Sequence, residues 1–135
     1  MLLDKQEKLE KSKVIGINPI VLAFLGDAVY SLYVREKLVL SSDLKTGELN
    51  KLAVGMVKAS AQANLINKIM PLLNGEEIAV FKRARNSKKT TKAKSASVSQ
   101  YNLSTGFEAL IGYLYLIGEF DRILFLLKEG EDYEN

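Results

Sequence analysis

The sequence contains no cysteine and no histidine. Without cysteine, disulfide bonds and thiolate metal sites are excluded, and a reducing compartment suits the chain. Without histidine, the imidazole general base, the imidazole metal ligand and the Ser–His–Asp and Cys–His catalytic arrangements are excluded as well. Any chemistry must therefore use carboxylates, lysines, tyrosines or hydroxyl groups, and a hard divalent cation is the metal that suits such oxygen ligands.

The sequence also lacks an apolar run long enough to cross a membrane. The longest run, residues 20–34, is short for a membrane span and has Asp27 at its centre. The first residues, MLLDKQEKLEKSK, lack the apolar core of a signal peptide. We therefore expect a cytoplasmic protein with no membrane partner.

Proline is scarce, and both prolines fall where a helix is expected to begin or end. No β-alternation, hairpin signal or repeat is present, and helical periodicity extends through most of the chain. We predict an all-α fold with helices at about 18–38, 46–58, 59–70, 75–85, 99–117 and 119–128. At 135 residues the chain suits a single domain, 1–135, with a charged lead-in (1–17), a basic loop (86–99) and an acidic tail (129–135).

Two predicted helices are apolar around most of their circumference, and each carries one carboxylate near its middle. Asp27 lies in NPIVLAFLGDAVYSLYVR, and Glu108 lies in TGFEALIGYLYLIG. An ionised carboxylate in apolar surroundings costs several kcal/mol unless a positive group meets it. No basic residue is adjacent to either acid, so a hydrated divalent cation shared by both is one economical partner. The other interpretation is that each acid is a hydrogen-bonded residue of the core or of an interface.

Neighbouring residues carry further expectations about these two helices. Gly26 is unfavourable inside a helix, which suggests that another element approaches it closely. We expect Phe24 and Phe107 to lie in the core, and Tyr113 and Tyr115 to make core or dimer contacts.

Basic residues are concentrated in one segment, KRARNSKKTTKAK, which spans residues 82–94 and contains no acid. Such a segment is suited to binding a phosphate backbone. The other interpretation, which applies to any run of charged residues, is a solvated loop. No aromatic residue is interleaved, and single-strand recognition usually stacks bases on aromatics. The pattern therefore favours a duplex read through its backbone. The candidate RNA-binding residues are Arg83, Arg85, Lys88, Lys89, Lys92 and Lys94.

The motifs FLGDAVY and FEALIGYLY together resemble the two signature helices of the ribonuclease III family. The segment ARNSKK, followed by TGFEALIGYLYL, is similar to the Mini-ribonuclease III branch, which lacks a C-terminal double-stranded-RNA-binding domain. The resemblance covers nearly the whole chain. It implies a homodimeric endoribonuclease that cleaves double-stranded RNA with Mg²⁺, or with Mn²⁺ in its place, and leaves 5′-phosphate and 3′-hydroxyl ends.

The resemblance transfers a catalytic and metal-binding role to Asp27 and Glu108 only. Two other acidic positions of the family fall at Ala23 and Thr105 in this chain. Mg²⁺ keeps several waters and often takes one or two protein carboxylates, so two acids can suffice. Thr105 could position a water where the family has a carboxylate.

The branch resemblance further implies maturation of the 5′ and 3′ ends of 23S (large-subunit) precursor ribosomal RNA. Two other functions stay open from the sequence. One is a catalytically inactive RNA-binding or ribosome-associated module on the same fold, which the two missing acids favour. The other is a helical adaptor whose basic loop binds an acidic protein.

Overall fold

The computed structural model describes residues 8–88 and 97–131, and this part of the chain is helical with no strand. Its helices are α1 (Lys11–Ile15), α2 (Pro19–Ser41), α3 (Thr46–Val57), α4 (Ala59–Ile69), α5 (Gly75–Asn86), α6 (Val98–Leu116) and α7 (Phe120–Glu131). A 3-10 turn, Met70–Leu72, follows α4. The all-α prediction is confirmed, and α1 is a short helix inside the predicted lead-in.

The helix ends follow local chemistry that the sequence displays. Asn18 Oδ1 accepts a hydrogen bond from the backbone N–H of Ile20 at 2.8 Å, and Pro19 occupies the first helical position of α2. Asn74 and Glu77 form the predicted capping box of α5. After α6, Gly118 adopts a positive φ of 77°, a conformation that glycine tolerates at a helix end.

Helix α6 lies at the centre of the core and packs against α2, α4, α5 and α7. Every residue from Ser104 to Leu114 is buried except Glu108, which is partly buried. Phe107 and Tyr113 are buried in the core as predicted, and Tyr115 packs its ring against Phe120. Glu108 is thus the only residue from Ser104 to Leu114 that is not fully buried.

Helix α2 is buried on one side only, which corrects the prediction that Phe24 belongs to the core. Leu22, Gly26 and Tyr30 face the interior, whereas the Phe24 side chain is 81% exposed. At 3.6 residues per turn, Phe24 points away from the surface that packs on α6. Apolar periodicity around the whole helix does not distinguish a core residue from one on an uncovered outer face.

Glycines let the backbones of α2 and α6 meet directly. A Cβ atom at Gly26 would overlap the carbonyl oxygen of Glu108, and one at Gly112 would overlap the carbonyl oxygen of Leu22. The two contacts are one helical turn apart on both helices, so they set how the helices cross. Asp27 follows Gly26 directly, and its side chain is therefore held beside Glu108. The close approach expected at Gly26 is confirmed.

No helix in the described part of the chain, 8–88 and 97–131, is long and apolar enough to cross a membrane.

We expect Gly26→Ala to reduce the free energy of unfolding by about 2 kcal/mol or more, because the added methyl group collides with backbone that cannot move independently. Urea unfolding measures this change. The matched control is Gly55→Ala in α3, where a Cβ meets nothing within 4 Å. The control should be neutral or stabilising by up to about 1 kcal/mol. Equal stability of Gly26→Ala and wild type would contradict the close contact.

Candidate active site

The two acids singled out by the sequence lie side by side, one from each of the two crossing helices. Asp27 is exposed on α2, Glu108 is partly buried on α6, and their carboxyl groups are hydrogen-bonded to each other. The pKa of Glu108 is raised to about 9, chiefly because the group is buried and also because of the hydrogen bond and charge of Asp27. A hydrogen bond from Gln62 opposes this shift. In the absence of a cation, Glu108 therefore retains its proton near neutral pH.

The donor set of this pair fits a hard divalent cation. Both candidate ligands are carboxylate oxygens, and the two groups are close enough to share one positive charge in place of the proton. Within residues 8–88 and 97–131, no group of three or more His, Cys, Asp or Glu residues is arranged to hold a metal. Two protein carboxylates supplemented by water and substrate phosphate are a pattern that Mg²⁺ accepts.

Glu108 is held by a buried network centred on Gln62, which is 1% exposed. Gln62 Nε2 donates to the carbonyl oxygen of Val57 at 2.9 Å and to Glu108 Oε2 at 3.2 Å. Ser104 Oγ donates to Gln62 Oε1 at 2.7 Å. Three helical elements are thus connected at one amide group next to the acidic pair.

The acids open into a cleft with a volume of about 620 Å³. Its lining includes Ala23 and Thr105, the two positions where the resemblance implies missing acids. The Thr105 hydroxyl donates to the carbonyl oxygen of Tyr101 at 2.9 Å, so its lone pairs stay available to accept a hydrogen bond from water. The cleft has room for a hydrated cation together with a phosphate group.

Two exposed lysines, Lys58 and Lys88, also line this cleft. Lys88 belongs to the predicted basic loop, whereas Lys58 lies between α3 and α4. Both bring positive charge to the opening in front of the acidic pair. The cleft is therefore suited to an anionic substrate that also contacts a cation.

The other predicted RNA-binding residues are placed differently. The Arg83 guanidinium donates to the carbonyl oxygen of Ile15 at 2.7 Å, and Arg85 stacks over the Phe81 ring at 5.4 Å from its centroid. Neither arginine lines the cleft. Lys89, Lys92 and Lys94 lie outside the described residues. The structure thus brings Lys88 of the predicted set to the acids and leaves the two arginines on the adjoining surface of α5.

Sequence reasoning missed Gln62 and Lys58. Gln62 occupies the apolar stripe of α4, one turn before Ile66 and two turns before Ile69. A polar residue in such a stripe is a usable signal for a buried hydrogen-bond network. Lys58 has no comparable signal, because only the packing of α3 and α4 brings it to the cleft.

Comparisons with known proteins identify the family to which this chain belongs. The model of the family described as "Ribonuclease III domain" matches residues 20–119. A Mini-ribonuclease 3 of Thermoanaerobacter sp. is 47% identical over 126 residues, which covers 93% of this chain and 89% of that protein. A Mini-ribonuclease 3 of Brevibacillus brevis is 48% identical over 120 residues, which covers 84% of this chain and 90% of that protein.

A solved structure shares the fold as well. The crystal structure of a protein from Fusobacterium nucleatum matches with a TM-score of 0.80 and 32% sequence identity, covering 89% of this chain and 96% of that one. Both signature segments, with Asp27 and Glu108, fall inside the residues matched by the family model. The chain belongs to the ribonuclease III family of endoribonucleases.

Proposed function

We propose that this endoribonuclease cleaves double-stranded RNA in a Mg²⁺-dependent reaction, with Asp27 and Glu108 as the catalytic pair that holds the cation. The observation that carries the proposal is the meeting of the two carboxyl groups in an open cleft lined by Lys58 and Lys88. Family members are generally metal-dependent. Mn²⁺, which also favours carboxylate and water oxygens, can take the place of Mg²⁺.

The reaction is hydrolysis of a phosphodiester. Water attacks phosphorus, the bond to the 3′ oxygen breaks, and the 3′ oxygen gains a proton, which leaves 5′-phosphate and 3′-hydroxyl ends. When bound, the cation neutralises charge on the phosphate and makes a water molecule more acidic. Asp27 on α2 and Glu108 on α6 would hold the cation that supplies this chemistry. The Thr105 hydroxyl accepts a hydrogen bond from an ordered water.

The cations of the protein bind the RNA backbone. Lys58 and Lys88 contact phosphates next to the reacting one, and Arg83, Arg85, Lys89, Lys92 and Lys94 extend the positive surface. Lysine acts as a mobile point charge, whereas arginine offers a planar fork to phosphate oxygens. Because residues 82–94 contain no aromatic side chain, backbone recognition of a duplex is favoured over stacking of single-stranded bases.

A homodimer supplies one acidic pair for each strand of the duplex. On the outer face of α2, Val21, Phe24, Ala28 and Leu32 recur at helical spacing and are all exposed. An exposed phenylalanine within such a stripe is typical of a surface that another protein covers. Two copies related by a two-fold axis would bury it in a self-complementary interface.

We further propose that the substrate is precursor ribosomal RNA, and that cleavage matures the 5′ and 3′ ends of 23S RNA in the cytoplasm. The support is the similarity to proteins named Mini-ribonuclease 3 over most of their length. Incubation with a panel of structured precursor RNAs, followed by mapping of the cut ends, tests this substrate assignment.

One other candidate function has a specific observation in its favour. Ala23 and Thr105 line the cleft where the family carries acids, which is compatible with a catalytically inactive RNA-binding module. Incubation of the purified protein with duplex RNA, with and without Mg²⁺, separates the two functions. Binding without cleavage at any divalent cation concentration would favour the inactive module.

We expect Asp27→Asn and Glu108→Gln each to lower the rate of duplex cleavage more than a hundredfold, because each removes half of the charge that holds the cation. Circular dichroism and urea unfolding should show an intact fold. The matched control is Glu36→Gln, which removes an exposed acid from the same helix as Asp27. The control should cleave at the wild-type rate, and full activity of Asp27→Asn would exclude that residue from the mechanism.

We expect Lys58→Gln and Lys88→Gln each to weaken duplex RNA binding and to reduce the slope of log affinity against log salt by about one. Fluorescence anisotropy over a salt series, using the cleavage-inactive Asp27→Asn background, measures both quantities. Lys51→Gln, on the exposed face of α3, is the control and should leave the slope unchanged. A slope equal to that of the control would remove either lysine from the RNA surface.

We expect Phe24→Asp to convert the dimer to a folded monomer, because the substitution places a charge in the proposed interface without disturbing the core. Light scattering coupled to size-exclusion chromatography measures the mass. Leu40→Asp is the control, since Leu40 is 79% exposed on the same helix but on the opposite side of its axis. A monomeric wild-type protein, or a dimeric Phe24→Asp variant, would contradict the proposed interface.

A further inference from the structure

The amide of Gln62 has only one orientation that satisfies its surroundings. The carbonyl oxygen of Val57 and the Glu108 carboxylate both need a donor, whereas the Ser104 hydroxyl supplies a hydrogen. The nitrogen of Gln62 therefore faces Val57 and Glu108, and its oxygen faces Ser104. Both hydrogens of the nitrogen are used and the oxygen accepts from Ser104, so the amide is locked in this orientation.

The locked amide acts on the more buried of the two acids. Asp27 is exposed, but Glu108 is partly buried on the central helix and needs a fixed partner on the protein side. In the described part of the chain, no buried side-chain nitrogen or oxygen lacks a hydrogen bond. Neutral donors of this kind orient the carboxylates that hold metal ions, and their loss typically reduces metal affinity or activity by 10- to 100-fold.

We propose that Gln62 is a positioning residue that orients the Glu108 carboxylate beside Asp27 for the divalent cation. The inference rests on the proposed function of Asp27 and Glu108. It goes beyond that function by naming the group that fixes the orientation of the Glu108 carboxylate. With Ala23 and Thr105 in the cleft, neighbouring acids do not share this task, so an uncharged amide does it.

The same amide connects the cation site to the RNA surface. Through the carbonyl oxygen of Val57, Gln62 holds the junction between α3 and α4, and Lys58 is the next residue along the chain. A single buried side chain thus sets the position of both a cation-binding carboxylate and a cleft lysine. The cation and the RNA phosphate are expected to respond together to its removal.

The test is Gln62→Met, which keeps the side-chain length and removes the donor. Mn²⁺ binding to the RNA-free protein, measured by electron paramagnetic resonance, should weaken about tenfold, with duplex cleavage reduced at limiting Mg²⁺. Gln100→Met is the control, because it makes the same substitution on α6 at a residue that does not line the cleft. The control should retain Mn²⁺ affinity within about twofold. Wild-type affinity in a folded Gln62→Met protein would overturn the proposal.

A double-mutant cycle with Glu108→Gln separates this inference from the proposed function. If Gln62 acts through Glu108, Gln62→Met should have little further effect on Mn²⁺ binding in the Glu108→Gln background. Additive losses would overturn the positioning role. Wild-type Mn²⁺ affinity in the Glu108→Gln single variant would instead refute the metal-binding role of Glu108, and therefore the function on which the inference rests.

Nuclear magnetic resonance of the wild-type protein gives a test that does not require the Gln62→Met variant to fold. The side-chain amide signals of Gln62 should shift when Mg²⁺ is added, because the cation would bind the carboxyl group that accepts a hydrogen bond from this amide. In the Glu108→Gln protein this shift should be lost. Amide signals that stay unchanged in wild type at saturating Mg²⁺ would overturn the proposal even without a folded Gln62 variant.

Discussion

The site depends on direct backbone contact between α2 and α6. Gly26 and Gly112 remove the two side-chain carbons that would keep these helices apart. The resulting approach brings Asp27 and Glu108, which are 81 positions apart in the chain, within hydrogen-bond distance of each other. Carboxyl groups at this separation repel each other when both are ionised. The pair is therefore stabilised by binding either a proton or a cation. The glycines therefore set the geometry of the candidate site as much as the acids do.

The protein surroundings hold the two carboxyl groups of the site in different ways. Asp27 is exposed, whereas Glu108 accepts a hydrogen bond from Gln62, whose amide is itself oriented by Ser104 and Val57. A neutral anchor does not add negative charge that would have to be compensated when no cation is bound. The open side of the site faces lysines, so the charge of an approaching phosphate is balanced on the side from which it arrives.

In the proposed homodimer, the outer face of α2 would lie both at the interface and beside the site. Phe24 lines the cleft and is at the same time the most exposed of the large apolar residues in the described part of the chain. An interface built on this helix would set the spacing of two acidic pairs, because Asp27 lies three residues along the same helix. Assembly and catalysis would then share one rigid element, and the geometry of the duplex would be matched by that of the pair of α2 helices.

The sequence by itself determined the all-α class and the helix caps at Asn18 and Asn74, because these features follow from local hydrogen bonding and residue spacing. It singled out Asp27 and Glu108 as candidate site acids through the resemblance of their motifs to the ribonuclease III family. It did not distinguish the buried face of α2 from the exposed one, so Phe24 was misassigned to the core. Nor did it identify Gln62 and Lys58, whose partners are distant in the chain. Only the tertiary structure decided these points, because burial and side-chain contact depend on how helices cross, and here that crossing is set where glycine lets two backbones touch.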